Sequence, residues 1–408
     1  MTTAADPQSL LVTLLDPAHR ADPYPVYTRI REHGPLQLPE LNLAVFTSYA
    51  DCDQVLRHPS SASDRLKSTV TQRILAESGD TRPVGTPGFL FLDPPDHTRL
   101  RGLVSKAFVP KVVKSLEPDI VALVDELLDQ ADGEFDVVGG LAYPLPVAVI
   151  CRLLGVPLAD EPQFSAASGL LAQSLDPFLT VTGSAGEGFE QRVAAAMWLR
   201  EYLRQLIGER RRHPGDDLMS ALIGVEESGD QLSEEEIIAT CTLLLVAGHE
   251  TTVNLIANAA LALLRTPEQW RALAAQPDRA AAVIEETLRY DPPVQLVGRV
   301  AAENMTISGV EVPKGDNMLL LLAAAHRDPA ATDHPDRFDP ERASIRHLGF
   351  GKGPHFCLGA PLARLEATVA LTALTRRFPH AALAAEPGYK PNVTLRGMSE
   401  LRLRRTSL

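Results

Sequence analysis

Cysteine is scarce in this chain, and its placement excludes more than it suggests. Four cysteines in 408 residues, at positions 52, 151, 241 and 357, form no Cys-x-x-Cys pair and no Cys/His cluster of zinc type. Neither a disulfide framework nor a structural zinc site is expected; buried or incidental thiols in a reducing compartment are. Long apolar runs are lacking too. The longest, residues 318–325, is far too short to span a bilayer. Residues 1–11 show no basic stretch followed by an apolar one, so no secretory signal is expected and the reading is a cytoplasmic protein. Positive charge is in deficit, with 39 Lys and Arg against 52 Asp and Glu and a net charge of -13. That argues against a general nucleic-acid binder, though it leaves room for a local basic patch.

What is present is ordinary globular composition, 45% hydrophobic and 22% charged, dominated by Ala/Leu/Glu/Arg-rich helical patterns. No composition break or repeat divides it, so residues 1–408 are expected to form a single, mainly α domain with a minor β-sheet region. Strands are expected within residues 36–47, before a helix starting near Tyr49, and within 297–322, where Ser308-Gly309 and Pro313-Lys314-Gly315-Asp316 supply turns. Residues 325–342, rich in Pro and Asp, should be irregular. One helix stands out. Ser233 and Glu236 make a capping box, and apolar residues continue to Leu264. About 30 residues at about 1.5 Å each give roughly 45 Å, enough to cross a domain. Gly248, Thr251 and Thr252 are poor mid-helix choices and predict an interruption at 247–252. His249-Glu250 is not a zinc-protease motif, because position 253 is Val253.

The decisive segment is Phe350-Gly351-Lys352-Gly353-Pro354-His355-Phe356-Cys357-Leu358-Gly359, where three glycines and a proline force a tight loop before a helix from Ala360. Cys357 therefore sits just before a helix N-terminus, where backbone N–H groups and the dipole favour a thiolate. At these residues the chain resembles a cytochrome P450, a haem-thiolate monooxygenase of the soluble bacterial class, and in detail it is similar to actinobacterial, especially mycobacterial, members. The resemblance covers nearly the whole chain. It implies the triangular, helix-rich P450 fold with a buried haem b held through the Cys357 thiolate, with Phe350, Gly351, His355 and Gly359 framing the cofactor.

Further motifs occur in order. Glu286-Thr287-Leu288-Arg289 matches the family's ExxR, and the resemblance makes Arg337, in Pro335-Asp336-Arg337-Phe338, the third member of a structural network. Ala247-Gly248-x-Glu250-Thr251-Thr252 matches the oxygen-activation motif. Cleaving dioxygen requires proton delivery; Thr251 can hold an ordered water and Glu250 can carry protons in from solvent. Ala247 and Gly248 are small enough to let the helix approach the haem. Two haem propionates need cationic partners, and His97, Arg101, Arg299 and His355 match the family's ligands. His326, where asparagine is common, and His249 depart from the family pattern without touching its core chemistry.

The substrate pocket is expected to draw on Leu90, Phe91, Leu92, Phe178, Leu179, Leu244, Val294, Leu296, Val297 and Met398. They are apolar, which implies a small lipophilic substrate and a site open to azoles. Residues 176–188 read as a lid. No motif for a flavin or iron–sulfur cluster is present, so electrons are expected from ferredoxin and its reductase, docking on a patch of Arg99, Lys106, Lys111, Lys114, Lys352 and Arg364. Two alternatives stand beside the monooxygenase reading: a peroxide-using haem-thiolate enzyme, and a haem protein that binds ligand without turnover. Retention of Glu250-Thr251 favours oxygen insertion.

Overall fold

The structure, a computed structural model, describes residues 7–78, 86–129, 131–182, 187–227 and 230–406. Its axis is the helix Glu234–Arg265, hereafter the central helix. The expected capping box forms: the Ser233 N–H donates to Glu236 Oε2 at 2.9 Å and the Glu236 N–H donates to Ser233 Oγ at 3.3 Å. Three glutamates in the first turn and Arg265 in the last suit the helix dipole. Residues 252–264 are buried throughout, as a helix packed on most sides must be. Its neighbours are the helices Pro144–Leu154, Phe189–Arg212, Ala280–Tyr290 and Ala360–Arg377.

The expected interruption at 247–252 does not occur; the helix is continuous there. Thr251 satisfies its hydroxyl locally, donating to the Ala247 carbonyl at 2.6 Å, so the turn is kept rather than broken.

The β region is small and joins distant segments. Leu36–Leu38 pairs antiparallel with Leu43–Phe46, with the short helix Pro39–Leu41 between them. Asn317–Leu320 lies parallel to Leu43–Phe46 and antiparallel to Val297–Ala301, setting Arg299 opposite Met318. The hairpin of Met305–Ile307 and Val310–Val312 turns through Ser308 and Gly309, with φ of 47° and 84°. Two successive positive φ values match the strand twist; glycine adopts them freely, and Ser308 is secured by donating its hydroxyl to Asp51. The segment 325–342 is irregular as expected except at its start, where residues 325 and 326 complete the short helix Leu322–His326; no helix or strand follows through residue 352. Among the described residues no helix is long and apolar enough to cross a membrane.

Candidate active site

Cys357 ends a loop whose hydrogen bonds are local. The Gly351 N–H donates to the Leu348 carbonyl and the Cys357 N–H to the Phe350 carbonyl, both at 2.8 Å. Gly351 and Gly353 have φ of 69° and 67°, and a Cβ on Gly353 would meet the Leu56 carbonyl at 2.7 Å, so glycine is required there. The helix Ala360–Arg377 follows, with Gly359 at its N-cap. Burial pushes the Cys357 thiol above its ordinary pKa, opposed by the Gly359 and Ala360 N–H groups and by Arg101 and Arg364. A cation coordinated at the sulfur would favour its thiolate form. Cys357 is exposed.

Behind the loop lies a buried ionic network. Glu286 and Arg289 are fully buried and form a two-pronged pair at 2.8 Å each. Arg289 also donates to the carbonyls of Pro335 at 2.7 Å and Arg337 at 3.0 Å. The expectation for Arg337 is corrected here. Its side chain is 70% exposed and meets only Asp339, at 3.7 Å; its contribution is its carbonyl. Arg342 is the third member, with Nε 3.0 Å from Glu286 Oε1 and Nη2 donating to the His334 and Arg337 carbonyls. In an irregular segment helical spacing says nothing about which arginine turns inward. Glu285, next to the motif, carries a second network: it binds Arg364 at 2.6 and 3.0 Å and His347 at 3.0 Å. Burial alone would raise its pKa, but these partners outweigh it and hold the carboxyl down at about 2. His326 is fully buried, its Nε2 accepting the Leu348 N–H at 2.7 Å, so the ring is neutral with its proton on Nδ1. That bond is a structural use of a departure from the family pattern.

On the central helix, Ala247 is exposed and Thr251 half-buried, one turn apart on the same face. At Gly248 a Cβ would lie 3.4 Å from Ile150 of the helix Pro144–Leu154, an ordinary contact distance. Glu250 is buried, and Lys390 Nζ lies 2.8 Å from its Oε2. No motif spacing points to this partner, 140 residues away. His249 is buried with no hydrogen bond to either ring nitrogen and packs edge-on to Tyr143.

The cations converge. His97 and Arg101 share one face of the helix Asp96–Ser105, and the His97 and His355 rings lie 4.1 Å apart. His97 Nε2 and His355 Nδ1 are buried without a hydrogen-bond partner. Burial lowers the His355 pKa to about 3, helped by Arg299 and His97, and lowers that of Arg299 to about 10. Arg101 donates to the Phe356 carbonyl, and the one hydrogen bond of the Arg299 side chain is to the Gly298 carbonyl. Asp93 is the nearby carboxylate, but Lys67 and the Ser63 N–H hold it at 2.6 and 2.8 Å. Unpaired donors gathered this way call for anions from outside the chain. Two propionates beside an iron-binding thiol fit them, so the residues present suit a haem.

The apolar candidates divide by exposure. Leu90, Phe91, Leu92, Val294 and Val297 are half-buried and available as walls. Leu296 and Met398 are 1% and 0% exposed, within the core, and line nothing, which corrects their assignment; Leu244, also buried, packs in the largest core cluster. Phe178 packs on the N-terminal cluster, and Leu179 is exposed. The expected lid is anchored at one end, where the Asp176 carboxylate accepts the Val393 and Thr394 N–H groups; residues 183–186 lie outside the described residues. Of the expected basic patch, Arg99 pairs with Glu236 and Arg364 with Glu285, while Lys106, Lys111 and Lys114 are exposed and Lys352 half-buried.

Comparison with known proteins accounts for this arrangement. The family model described as Cytochrome P450 matches residues 36–392. The ligand-free crystal structure of Mycobacterium smegmatis CYP164A2 superposes with a TM-score of 0.94 at 70% identity, covering 97% of this chain and 100% of that one; a second structure of that protein has econazole bound. Cytochrome P450 107B1 of Saccharopolyspora erythraea is 40% identical over 99% of both chains. Vitamin D(3) 25-hydroxylase of Pseudonocardia autotrophica is 40% identical over 93% of each. A match of this extent leaves one family for the chain: it belongs to the cytochrome P450s, and it is a monooxygenase that binds haem through a cysteine thiolate on the iron.

Proposed function

We propose that this chain inserts one atom of dioxygen into a small lipophilic molecule, in the cytoplasm, with electrons supplied by ferredoxin and its reductase. Cys357 is the iron ligand in this reading, and His97, Arg101, Arg299 and His355 bind the propionates. The haem supplies the dioxygen-activating redox chemistry; the protein supplies position and protons.

The observation that carries the reading is the pairing of Thr251 and Glu250 on the face turn of the central helix. The Thr251 hydroxyl gives its proton to the Ala247 carbonyl, so its oxygen lone pairs point outward as an acceptor for an incoming water. Glu250 is the next residue toward the core; Lys390 orients its carboxylate at 2.8 Å, and in this reading Glu250 carries protons in from solvent. A peroxide-using enzyme has no need of this pair. The half-buried Leu90, Phe91, Leu92, Val294 and Val297 favour a lipophilic substrate and azole ligands. Exposed Lys106, Lys111 and Lys114, on a chain of net charge -13, favour an acidic redox partner.

The test has two steps. Reduced holoprotein under carbon monoxide should give the red-shifted absorbance of sulfur-ligated haem, and Cys357→Ser should abolish it. Reconstituted with ferredoxin and its reductase, the holoprotein should consume electrons in proportion to hydroxylated product across a lipophilic library. Product formed from peroxide but never from ferredoxin-delivered electrons would overturn the reading.

A further inference from the structure

Arg65 lies outside the cation set already described, and its surroundings are unusual for an arginine. It opens the short helix Arg65–Lys67, which Asp64 caps by accepting the Leu66 N–H at 2.9 Å. Its guanidinium lies 4.7 Å over the ring of Phe91, one of the half-buried apolar candidates for the pocket wall. It donates to the Ser174 carbonyl at 3.4 Å, in the turn just before Asp176. Among the described residues no carboxylate pairs with it. Asp93, the carboxylate that acts on Arg299, is held by Lys67 and the Ser63 N–H.

Arg65 is exposed, yet burial still pulls its pKa below the ordinary value. Arg65 is close enough to Arg299 to depress its pKa further. Asp93 offsets part of this repulsion at Arg299, but that carboxylate is already held by Lys67 and the Ser63 N–H, so a further anion beside the guanidiniums would be favourable. The four donors His97, Arg101, Arg299 and His355 already serve for two propionates. The guanidinium stacked on Phe91 is left for another anion, on the apolar side.

We propose that Arg65 binds the carboxylate of the substrate, and that the natural substrate is therefore a lipophilic acid whose apolar body lies along Phe91 and its neighbours. This deepens the monooxygenase reading above and rests on it. The planar guanidinium suits a carboxylate in two-pronged fashion, and Phe91 fixes the plane. A charge-assisted contact of that kind in a desolvated site separates an acid from its neutral analogue by about ten- to a hundredfold.

The test titrates holoprotein with dodecanoic acid, methyl dodecanoate and dodecanol, read by the Soret shift and in parallel by thermal shift. Wild type should bind the acid at least about tenfold more tightly than either neutral probe. Arg65→Gln, which keeps reach and polarity, and Arg65→Ala should both lose that preference while changing affinity for the alcohol less than about threefold. Equal affinity for acid and alcohol in wild type, failure of all three to bind, or a preference that survives both substitutions would overturn the proposal. So would a changed haem content or midpoint potential in Arg65→Gln with the acid preference intact, because Arg65 would then serve the cofactor. The carbon monoxide spectrum of the same wild-type preparation reports separately on the monooxygenase reading, and the thermal shift reports on Arg65 even where that spectrum fails.

Discussion

Replacing Arg342 should damage this protein far more than replacing Arg337, although Arg337 fits the sequence motif. The Arg342 side chain is 10% exposed, with Nε 3.0 Å from the fully buried Glu286 and Nη2 on the carbonyls of His334 and Arg337 at 2.8 and 2.7 Å. Arg342→Ala removes one charge-assisted contact to a fully buried carboxylate, worth about 1.5–3 kcal/mol, while the exposed His334 and Arg337 carbonyls can turn to water. A loss of about 1.5–3 kcal/mol results. Against a typical total of about 5–15 kcal/mol that is a large fraction. Arg337→Ala removes an exposed side chain with a single 3.7 Å contact and should change stability by no more than about 0.5 kcal/mol. Urea titrations followed by Soret absorbance give the midpoints, and the carbon monoxide spectrum reports whether sulfur remains on iron. Arg342→Ala should have a much lower midpoint and lose the red-shifted band first. Equal midpoints for the two variants, or a larger loss in Arg337→Ala, would refute the assignment.

Thr251→Ala should keep haem and substrate binding but divert electrons to peroxide, since the acceptor oxygen for water is gone; equal product per electron in mutant and parent would contradict this. Glu285 adds an acid-sensitive component. Its carboxyl is held down at about 2 in the folded state against 4.5 for the free group, so its stabilisation is present above about pH 4.5 and lost as pH falls toward 2. Glu285→Gln should therefore be less stable than wild type at pH 7, with the difference shrinking across that window; a pH-independent difference would count against it. Azoles should give a saturable Soret shift by nitrogen coordination from the apolar side, and a flat titration would show that side closed.

Some of this architecture could be read from the sequence because the physics is local. The capping box, the central helix and the glycine-bound loop before Ala360 are each set within a few residues, and the structure has all three. The interruption expected at 247–252 fails for an equally local reason: the Thr251 hydroxyl bonds within its own turn, so a weak helix former sits in an intact helix. Long-range pairings were illegible. Lys390 reaches Glu250, and Glu285 gathers Arg364 and His347, through chain paths that no motif spacing encodes. Arg99 and Arg364 look like free positive charge in the sequence but each has a carboxylate partner in space, which leaves exposed lysines as the main part of the expected patch.

The same distinction separates what the family determines from what this chain determines. The Glu286 network, the loop and the converging donors answer to the haem, whose shape and charge are fixed, and family motifs find most of them. The apolar wall answers to a substrate that differs between members, so there a motif carries little and individual environments must be weighed. Leu296 and Met398 look like wall residues by composition and are core by exposure. Arg65 is stacked on Phe91, and among the described residues no carboxylate pairs with it. A cation set beside half-buried apolar side chains is the feature on which the proposed recognition of an acidic substrate rests.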